Sequence, residues 1–189
     1  MHIKGIEILD VSNNSLKELN GLQYASLKQL KILKADHNEI SKLDSLEGLE
    51  QLKEIDLNNN KIRQFEMCIF QLFHFHFFIF NLIIFQRNSF SNLNPIKCLK
   101  IEENGLKNFT NIQKLYKLQH LFASNNRLND FPDIEKLAEL PNLKELELNG
   151  NALSKRPGYR TIILKKLPLL LYLDGKVRYT TKDSFYLQK

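Results

Sequence analysis

The chain has 189 residues, close to the length of one ordinary domain, and 43% of them are hydrophobic, which excludes intrinsic disorder because a sizeable core can be buried. Leucine and asparagine number 34 and 20 whereas valine numbers 2, which disfavours an ordinary β-sandwich or doubly wound sheet, since buried strands favour β-branched residues. The formal net charge of +6 invites a nucleic-acid or acidic partner until the charges are located along the chain.

One pattern of apolar residues and asparagine recurs along the chain. An apolar residue is followed by apolar residues three and five positions later, by Asn at eight and by an apolar residue at ten. The starts of six matches are 24, 22, 44, 22 and 25 residues apart, a spacing typical of stacked repeats. The starts are Ile6, Leu30, Leu52, Ile96, Leu118 and Leu143, and the asparagines are Asn14, Asn38, Asn60, Asn104, Asn126 and Asn151.

This pattern resembles the leucine-rich repeat family, in the 22-residue class typified by a regulatory subunit of protein phosphatase 1. The resemblance implies an α/β fold: a right-handed solenoid with a parallel β-sheet on its concave face and short helical or irregular segments on its convex side. Residues 1–154 are expected to be the repeats, each a coil with one short strand. Each repeated asparagine is expected to be buried after the strand and to bond backbone groups of neighbouring coils, which is a structural role.

The amino-terminal sequence MHIKGIEILD has no secretory signal, and the two cysteines, Cys68 and Cys98, form no metal or paired motif. A reducing cytosolic or nuclear compartment is therefore expected, with both thiols free. Apolar residues begin at Ile3, and no polar helix or hairpin precedes them to cover a first coil. We expect a truncated chain or one piece of a longer array.

Residues 67–86 are a run of twenty residues without a formal charge, rich in Phe. The run is long enough to span a membrane. Repeats continue on both sides of it, however, and a span would divide the solenoid, so no span is expected. A degenerate repeat at about 66–87 is a second interpretation, with Leu82 in place of the asparagine. A third is a segment that is not native coding sequence, such as a retained intron, because removing about 22 residues restores the normal spacing.

Residues 155–178 break the period and resemble the C-terminal cap of this class, in which a Tyr-Arg pair opens a helix that ends at Leu-Pro and leads to Leu-Asp-Gly. A solenoid needs a cap because its last coil otherwise exposes an apolar edge. Residues 179–189 are expected to be a tail. The residues that match the cap are Tyr159, Arg160, Leu167, Pro168, Leu173, Asp174 and Gly175.

The sequence gives no support for catalysis. It contains no glycine-bounded nucleophile elbow, no phosphate-binding glycine loop and no His-x-x-x-His pair, and His74 and His76 would alternate across a strand. We predict a non-enzymatic protein with no catalytic residue, no metal and no cofactor.

Strand alternation places the residues two, four, six and seven positions after each start on the concave face. Eight carboxylates and two lysines occupy these positions, so the face is predicted to be acidic. It is either a solvated sheet or a groove for a basic helix or loop of a protein partner, with Phe122 and Phe78 as aromatic anchors. The predicted partner-binding residues are Asp10, Lys34, Asp36, Glu54, Asp56, Lys100, Glu102, Glu103, Phe122, Glu145 and Glu147.

The positive charge lies near the carboxyl terminus, because residues 155–189 carry +7 and residues 1–154 carry −1. These cations could contact acidic protein tails, RNA or an anionic surface. The alternative is that they are solvated and have no partner. Few aromatic residues interleave with them, so no specific nucleic acid is expected. The cations are Lys155, Arg156, Lys165, Lys166, Lys176, Arg178 and Lys182.

We therefore predict a scaffold or adaptor for protein–protein interaction, cytoplasmic, and monomeric or part of a larger assembly. The family resemblance favours the cilium, axoneme or cytoskeleton. The alternatives are a phosphatase regulatory module and a nuclear ribonucleoprotein component similar to the A-prime protein.

Overall fold

The computed structural model describes residues 5–20, 22, 27–43, 46, 49–65 and 95–178. In this part of the chain each repeat forms one strand of three residues, centred three positions after the repeat start. The strands are β1 (Ile8–Asp10), β2 (Ile32–Lys34), β3 (Glu54–Asp56), β4 (Cys98–Lys100), β5 (His120–Phe122) and β6 (Glu145–Glu147), followed by β7 (Tyr172–Leu173) and β8 (Lys176–Val177).

Within the described ranges these strands form one sheet in sequence order, β1 to β8. β1 to β7 are parallel and in register, so that equivalent residues of successive repeats lie side by side, and β8 turns back antiparallel to β7. A parallel sheet with consecutive order follows from repeats that each contribute one strand and then return on the other side. The predicted repeat solenoid with a parallel sheet is confirmed.

The central residue of each strand points into the core. Leu33, Ile55, Leu99, Leu121 and Leu146 are all 2% exposed or less. The apolar residues three and five positions after each start thus pack against their counterparts in the adjacent coils, and each coil buries the face of its neighbour.

A residue with left-handed backbone ends the extended stretch of every coil. It lies seven positions after each start, where φ is between 52° and 74°. Asparagine and glycine adopt this conformation most readily, and four of the six coils have one of them there. The six residues are Asn13, His37, Asn59, Glu103, Asn125 and Gly150.

Strands β3 and β4 are direct neighbours, with Ile55 beside Leu99. Backbone bonds join the two coils, from Leu57 N to Lys100 O at 2.9 Å and from Asn59 N to Glu102 O at 3.0 Å. No strand therefore lies between them. The segment interpreted above as a span, a repeat or non-native sequence lies outside the described residues.

Short helical segments connect the later strands. The α-helix α1 (Pro132–Glu135) continues into a 3-10 turn over Lys136–Glu139, and the longer α2 (Tyr159–Lys166) follows β6. Two further 3-10 turns span Ile112–Lys114 and Leu153–Lys155. In the described ranges no helix has the length and apolar character needed to cross a membrane.

Candidate interaction surface

The repeated asparagines join adjacent coils through their side-chain amides. Asn126 is representative: its Nδ2 donates to Ile101 O of the preceding coil at 2.8 Å and to Ala123 O of its own coil at 3.1 Å, and its Oδ1 accepts from Leu106 N at 2.9 Å. These backbone groups are inside the stack, where an unpaired donor or acceptor costs about 1–3 kcal/mol. Asn38, Asn60, Asn104 and Asn151 make the equivalent bonds.

Two asparagines depart from the expected burial. Asn14 is exposed, and its Nδ2 donates only to Val11 O and Ser12 O of its own coil, because it belongs to the first described coil. Asn104 is half-buried, and it keeps its bonds to the neighbouring coil. Full burial was expected for both and is not found, and the expected bond to a neighbouring coil is absent for Asn14 among the described residues.

The first and third residues of each strand, together with the polar residues that follow, form what we call the open face of the sheet. All eleven predicted partner-binding residues lie on it, half-buried or exposed. Side chains of neighbouring strands meet here because the register is uniform, which brings Lys100, Phe122 and Glu147 into one row. Ser124, two residues after Phe122, was also predicted to face outward, but it is buried.

In the amino-terminal half of the open face four carboxylates are accompanied by two lysines, and part of the negative charge is paired. Lys100 Nζ lies 2.8 Å from Glu54 Oε1 and 3.7 Å from Asp56 Oδ2. Asp36 accepts a hydrogen bond from the Ser12 hydroxyl and contacts the His37 ring at 2.8 Å. Opposite charges on neighbouring strands stabilise the sheet, so these residues contribute to the fold whether or not a protein partner binds.

In the carboxyl-terminal half the carboxylates outnumber the cations. Burial raises the pKa of Glu147 above its ordinary value of 4.5, and the nearby carboxylates of Glu102, Glu145 and Asp174 raise it further. Glu145 contacts the ring of His120 at 2.7 Å. Phe122, half-buried, lies between Lys100 and Glu147. This half of the open face combines negative charge with an accessible aromatic ring.

Cys98 is half-buried on the open face, and burial raises the pKa of its thiol to about 11, with the Glu54 carboxylate adding to the shift. The thiol is therefore protonated at neutral pH and a poor nucleophile. In the part of the chain that the structure describes, no group of three or more His, Cys, Asp or Glu is placed to hold a metal ion.

The residues predicted to form a cap meet at the end of the sheet. Asp174 Oδ1 accepts from Leu148 N at 2.8 Å, in the place where a strand carbonyl accepts in the preceding coils. Its Oδ2 accepts from the Tyr159 hydroxyl at 2.9 Å, and burial together with this carboxylate raises the pKa of Tyr159. Arg160 donates to Leu173 O at 3.1 Å, and Pro168 follows the end of α2.

Several carboxyl-terminal cations bond within the molecule rather than project freely. Arg178 donates to Leu167 O at 2.8 Å and to Leu164 O at 2.9 Å, so its guanidinium satisfies carbonyls at the end of α2. Arg156 pairs with Asp130 at 2.9 Å and Lys166 pairs with Glu135. Lys182 lies outside the described residues.

Tyr172 is a surface residue that the repeat pattern did not identify. It is 43% exposed and lies beside Glu145 in the register of β6 and β7. Leu170 and Leu173 have the three-residue spacing of a repeat, so continuing the pattern past its last clear match would have placed Tyr172 on the open face.

The chain belongs to the leucine-rich repeat family. A family model described as leucine-rich repeat matches residues 80–185, and a second, described as leucine rich repeat, matches residues 4–65.

Two solved structures show the same fold. An internalin from Listeria monocytogenes superposes with a TM-score of 0.58 at 20% identity, over 89% of this chain and 47% of that chain. The Drosophila melanogaster SNF/U2A' complex contains a chain that superposes with a TM-score of 0.54 at 22% identity, over 96% of this chain and 79% of that one.

The relatives in sequence are much longer proteins, and this chain matches only part of each. The mouse geranylgeranyl transferase type-2 subunit alpha is 26% identical over 84% of this chain and 23% of its own length. The adenylate cyclase of Schizosaccharomyces pombe is 31% identical over 77% of this chain and 9% of its own length. The chain thus spans less than a quarter of the length of these relatives.

Proposed function

We propose that this chain is a non-catalytic protein-interaction scaffold or adaptor, and that the carboxyl-terminal half of its open face binds a basic helix or loop of a protein partner. The observation that carries the proposal is the cluster of Glu102, Glu145 and Glu147, close enough to raise the pKa of Glu147, with the half-buried Phe122 beside Glu147 in the sheet. Leucine-rich repeat proteins generally mediate protein–protein interaction, and an aromatic anchor ringed by charge is typical of binding surfaces.

The raised pKa of Glu147 supports an occupant of positive charge. Neighbouring carboxylates repel one another in the free protein, and a basic side chain placed among them relieves that repulsion. In the amino-terminal half of the open face two lysines accompany the four carboxylates, and Lys100 is paired with Glu54, so less of the negative charge there is uncompensated.

The finer parts of the proposal rest on the family resemblance. They are membership of the 22-residue class with a C-terminal cap over residues 155–178, and a cytoplasmic site of action at the cilium, axoneme or cytoskeleton. A phosphatase regulatory module is the alternative, which co-purification of a phosphatase catalytic subunit from native cells would support.

A nuclear ribonucleoprotein component is a second candidate function. It is favoured by the superposition on the SNF/U2A' complex over 96% of this chain, which is a likeness of fold. A pull-down from native cells that depends on RNA and on an RNA-binding partner would support it over the ciliary role.

The surface assignment is tested with a synthetic amphipathic helix rich in Lys and Leu, by calorimetry at two salt concentrations. The variant E102Q/E145Q/E147Q is compared with E18Q/E50Q/E139Q, which removes the same charge at exposed positions outside the open face. We expect the first variant to lose ~10-fold in affinity and much of the salt dependence, and the second to bind like the wild type. Equal loss in both variants, or no loss in the first, contradicts the assignment.

A further inference from the structure

A second charged surface lies on the flank of the stack, where the chain leaves the sheet after each repeated asparagine. Lys61, Gly105 and Arg127 hold the same position in three successive coils, nine residues after each start. Backbone bonds align them, from Gly105 N to Ile62 O and from Arg127 N to Leu106 O, both at 2.9 Å. With Lys42, Arg63 and Lys107, the cations Lys61 and Arg127 form what we call the basic flank.

The basic flank borders a depression of about 610 Å³. Its five cations all line the depression, and Glu103 is the one carboxylate among the lining residues that the structure describes. Gly105 places no side chain in the depression between Lys61 and Arg127, and a Cβ at this glycine would lie 3.3 Å from Arg63 Cγ.

The cations of the basic flank are largely uncompensated. Lys61 pairs with Glu39 at 2.9 Å. Arg63, Lys107 and Arg127 are exposed, and none of them has a carboxylate partner within the described part of the chain. The backbone bond from Lys107 N to Arg63 O, 3.2 Å long, places these two cations on adjacent coils, where like charges repel in the absence of an anion.

We propose that the basic flank binds an extended acidic segment, a run of Asp and Glu side chains, of a protein partner. An extended chain running along the stack meets at least one cation on each of four successive coils, because the coils that carry these residues are stacked side by side. The basic flank and the open face have opposite charge, and Glu103 lies at the border between them. One chain thus presents two surfaces that attract partners of opposite sign.

The chemistry of the depression favours an acidic peptide over RNA or a membrane. Among the residues that the structure describes, the lining contains no aromatic side chain on which a base would stack. Its described members also include no apolar side chain to insert among lipids, and besides the charged residues they are Ser, Asn, Gln and Gly. Amide and hydroxyl groups between the cations suit the backbone of an extended peptide.

The test measures binding of a fluorescent hexaglutamate peptide to the whole chain by anisotropy, with a hexaglutamine peptide as the uncharged control. R63Q/K107Q/R127Q is compared with K155Q/K165Q/K176Q, which removes the same charge from exposed lysines near the carboxyl terminus. We expect the flank variant to lose ~10-fold in affinity and the control variant to lose little. G105Q fills the depression without changing the charge and is expected to weaken binding several-fold.

Circular dichroism and thermal melts establish that each variant is folded. The proposal is overturned if the flank variant or G105Q binds hexaglutamate like the wild type, or if the lysines near the carboxyl terminus matter equally. Tighter binding of a uridine oligonucleotide, or of vesicles of phosphatidylcholine and phosphatidylserine, that depends on the same cations also overturns it. So does self-association of the chain that the flank variant abolishes, because the occupant is then the acidic open face of a second copy.

Discussion

Ile55 of β3 lies directly beside Leu99 of β4, although residue 99 follows residue 55 by 44 positions and the other neighbouring strands of the six repeats are 22 to 25 apart. In the preceding coil, eight residues separate Leu43 from the next repeat start at Leu52. Thirty residues separate the equivalent Phe65 from the next start at Ile96, an excess of 22. This excess equals the interval between the starts of two adjacent repeats.

We predict that a chain lacking residues 67–88 folds into the same stack. The deletion leaves eight residues between Phe65 and Ile96 and places Phe90 and Leu93 at the three-residue spacing that leads from Phe65 to Ile96. Circular dichroism is expected to be unchanged in shape, and the urea midpoint equal or higher. Deletion of all of 66–94 is the control, because it removes the linking residues as well, and it is expected to unfold the stack. A shorter chain that fails to fold contradicts the prediction.

Asn151→Ala is expected to lower the free energy of unfolding by about 2–4 kcal/mol. Asn151 is fully buried, and its loss removes three side-chain hydrogen bonds, to Leu128 N, Ala123 O and Leu148 O, and leaves the buried Leu128 N without a partner. Asn14→Ala is the matched control and is expected to cost less than about 0.5 kcal/mol, because Asn14 is exposed. Chemical denaturation measures both, and similar losses would show that burial does not set the contribution of these side chains.

Tyr159→Phe is expected to destabilise the carboxyl-terminal end by about 1–2 kcal/mol, because Asp174 loses the hydroxyl donor 2.9 Å away. The pKa of Tyr159 is raised above its ordinary value of 10.0, so its hydroxyl stays protonated in the folded chain after free tyrosines have ionised. Its stabilisation is present below pH 10 and is lost as the pH rises towards the folded pKa.

Ultraviolet titration of the folded chain checks this assignment. The tyrosine that ionises last is expected to be absent from Tyr159→Phe and retained in Tyr172→Phe, which alters an exposed tyrosine. A last ionisation that persists in Tyr159→Phe contradicts the role of Asp174.

Glu147→Gln is expected to stabilise the chain at pH 7 and to have little effect below pH 4.5. Because the folded pKa of Glu147 lies above its ordinary 4.5, the folded state holds this proton more tightly than the unfolded state. Stability therefore falls as the pH rises from 4.5 through the folded pKa, and the loss persists at neutral pH. Urea midpoints at pH 7 and pH 4 measure the difference, with Glu139→Gln as the exposed control. A gain that is the same at both values of pH rules out this cause.

Glu103→Asn is expected to raise the free energy of unfolding by about 0.5–1 kcal/mol, because asparagine tolerates the left-handed backbone better than glutamate does. Glu103 has φ of 52°, at the position where three other coils have Asn. Glu103→Ala is the control, since it removes the same carboxylate but keeps a side chain unsuited to this conformation. Equal stability of the two variants would show that charge, and not backbone conformation, limits this coil.

Position within the repeat explains which features were predictable from the sequence. The core positions of Leu33 and Ile55 follow from the repeat pattern, because their spacing recurs in every coil and each coil packs against its neighbours in the same way. The direct contact of β3 with β4 was not predictable, since an interval of 44 residues is compatible both with an extra coil and with an insertion.

The basic flank was missed for a different reason. Its cations are spread along the chain, from Lys42 to Arg127, and their charge is cancelled by acidic neighbours in any local average. Comparing the residues at equivalent positions of successive coils would have revealed Lys61 and Arg127 on either side of Gly105. The role of Arg178 at the end of α2 depends on how the chain turns after β8, and no repeat encodes that.

The consecutive order of the sheet also determines how the molecule carries mechanical load. Along the described strands each one is bonded to the strands before and after it in sequence, so a pull on the two ends passes through every junction between coils in series. The weakest junction then yields first and releases about one coil length of chain, while the coils on either side keep their own neighbours. A stack of coils built in this way is expected to unfold in steps under tension, and not in a single event.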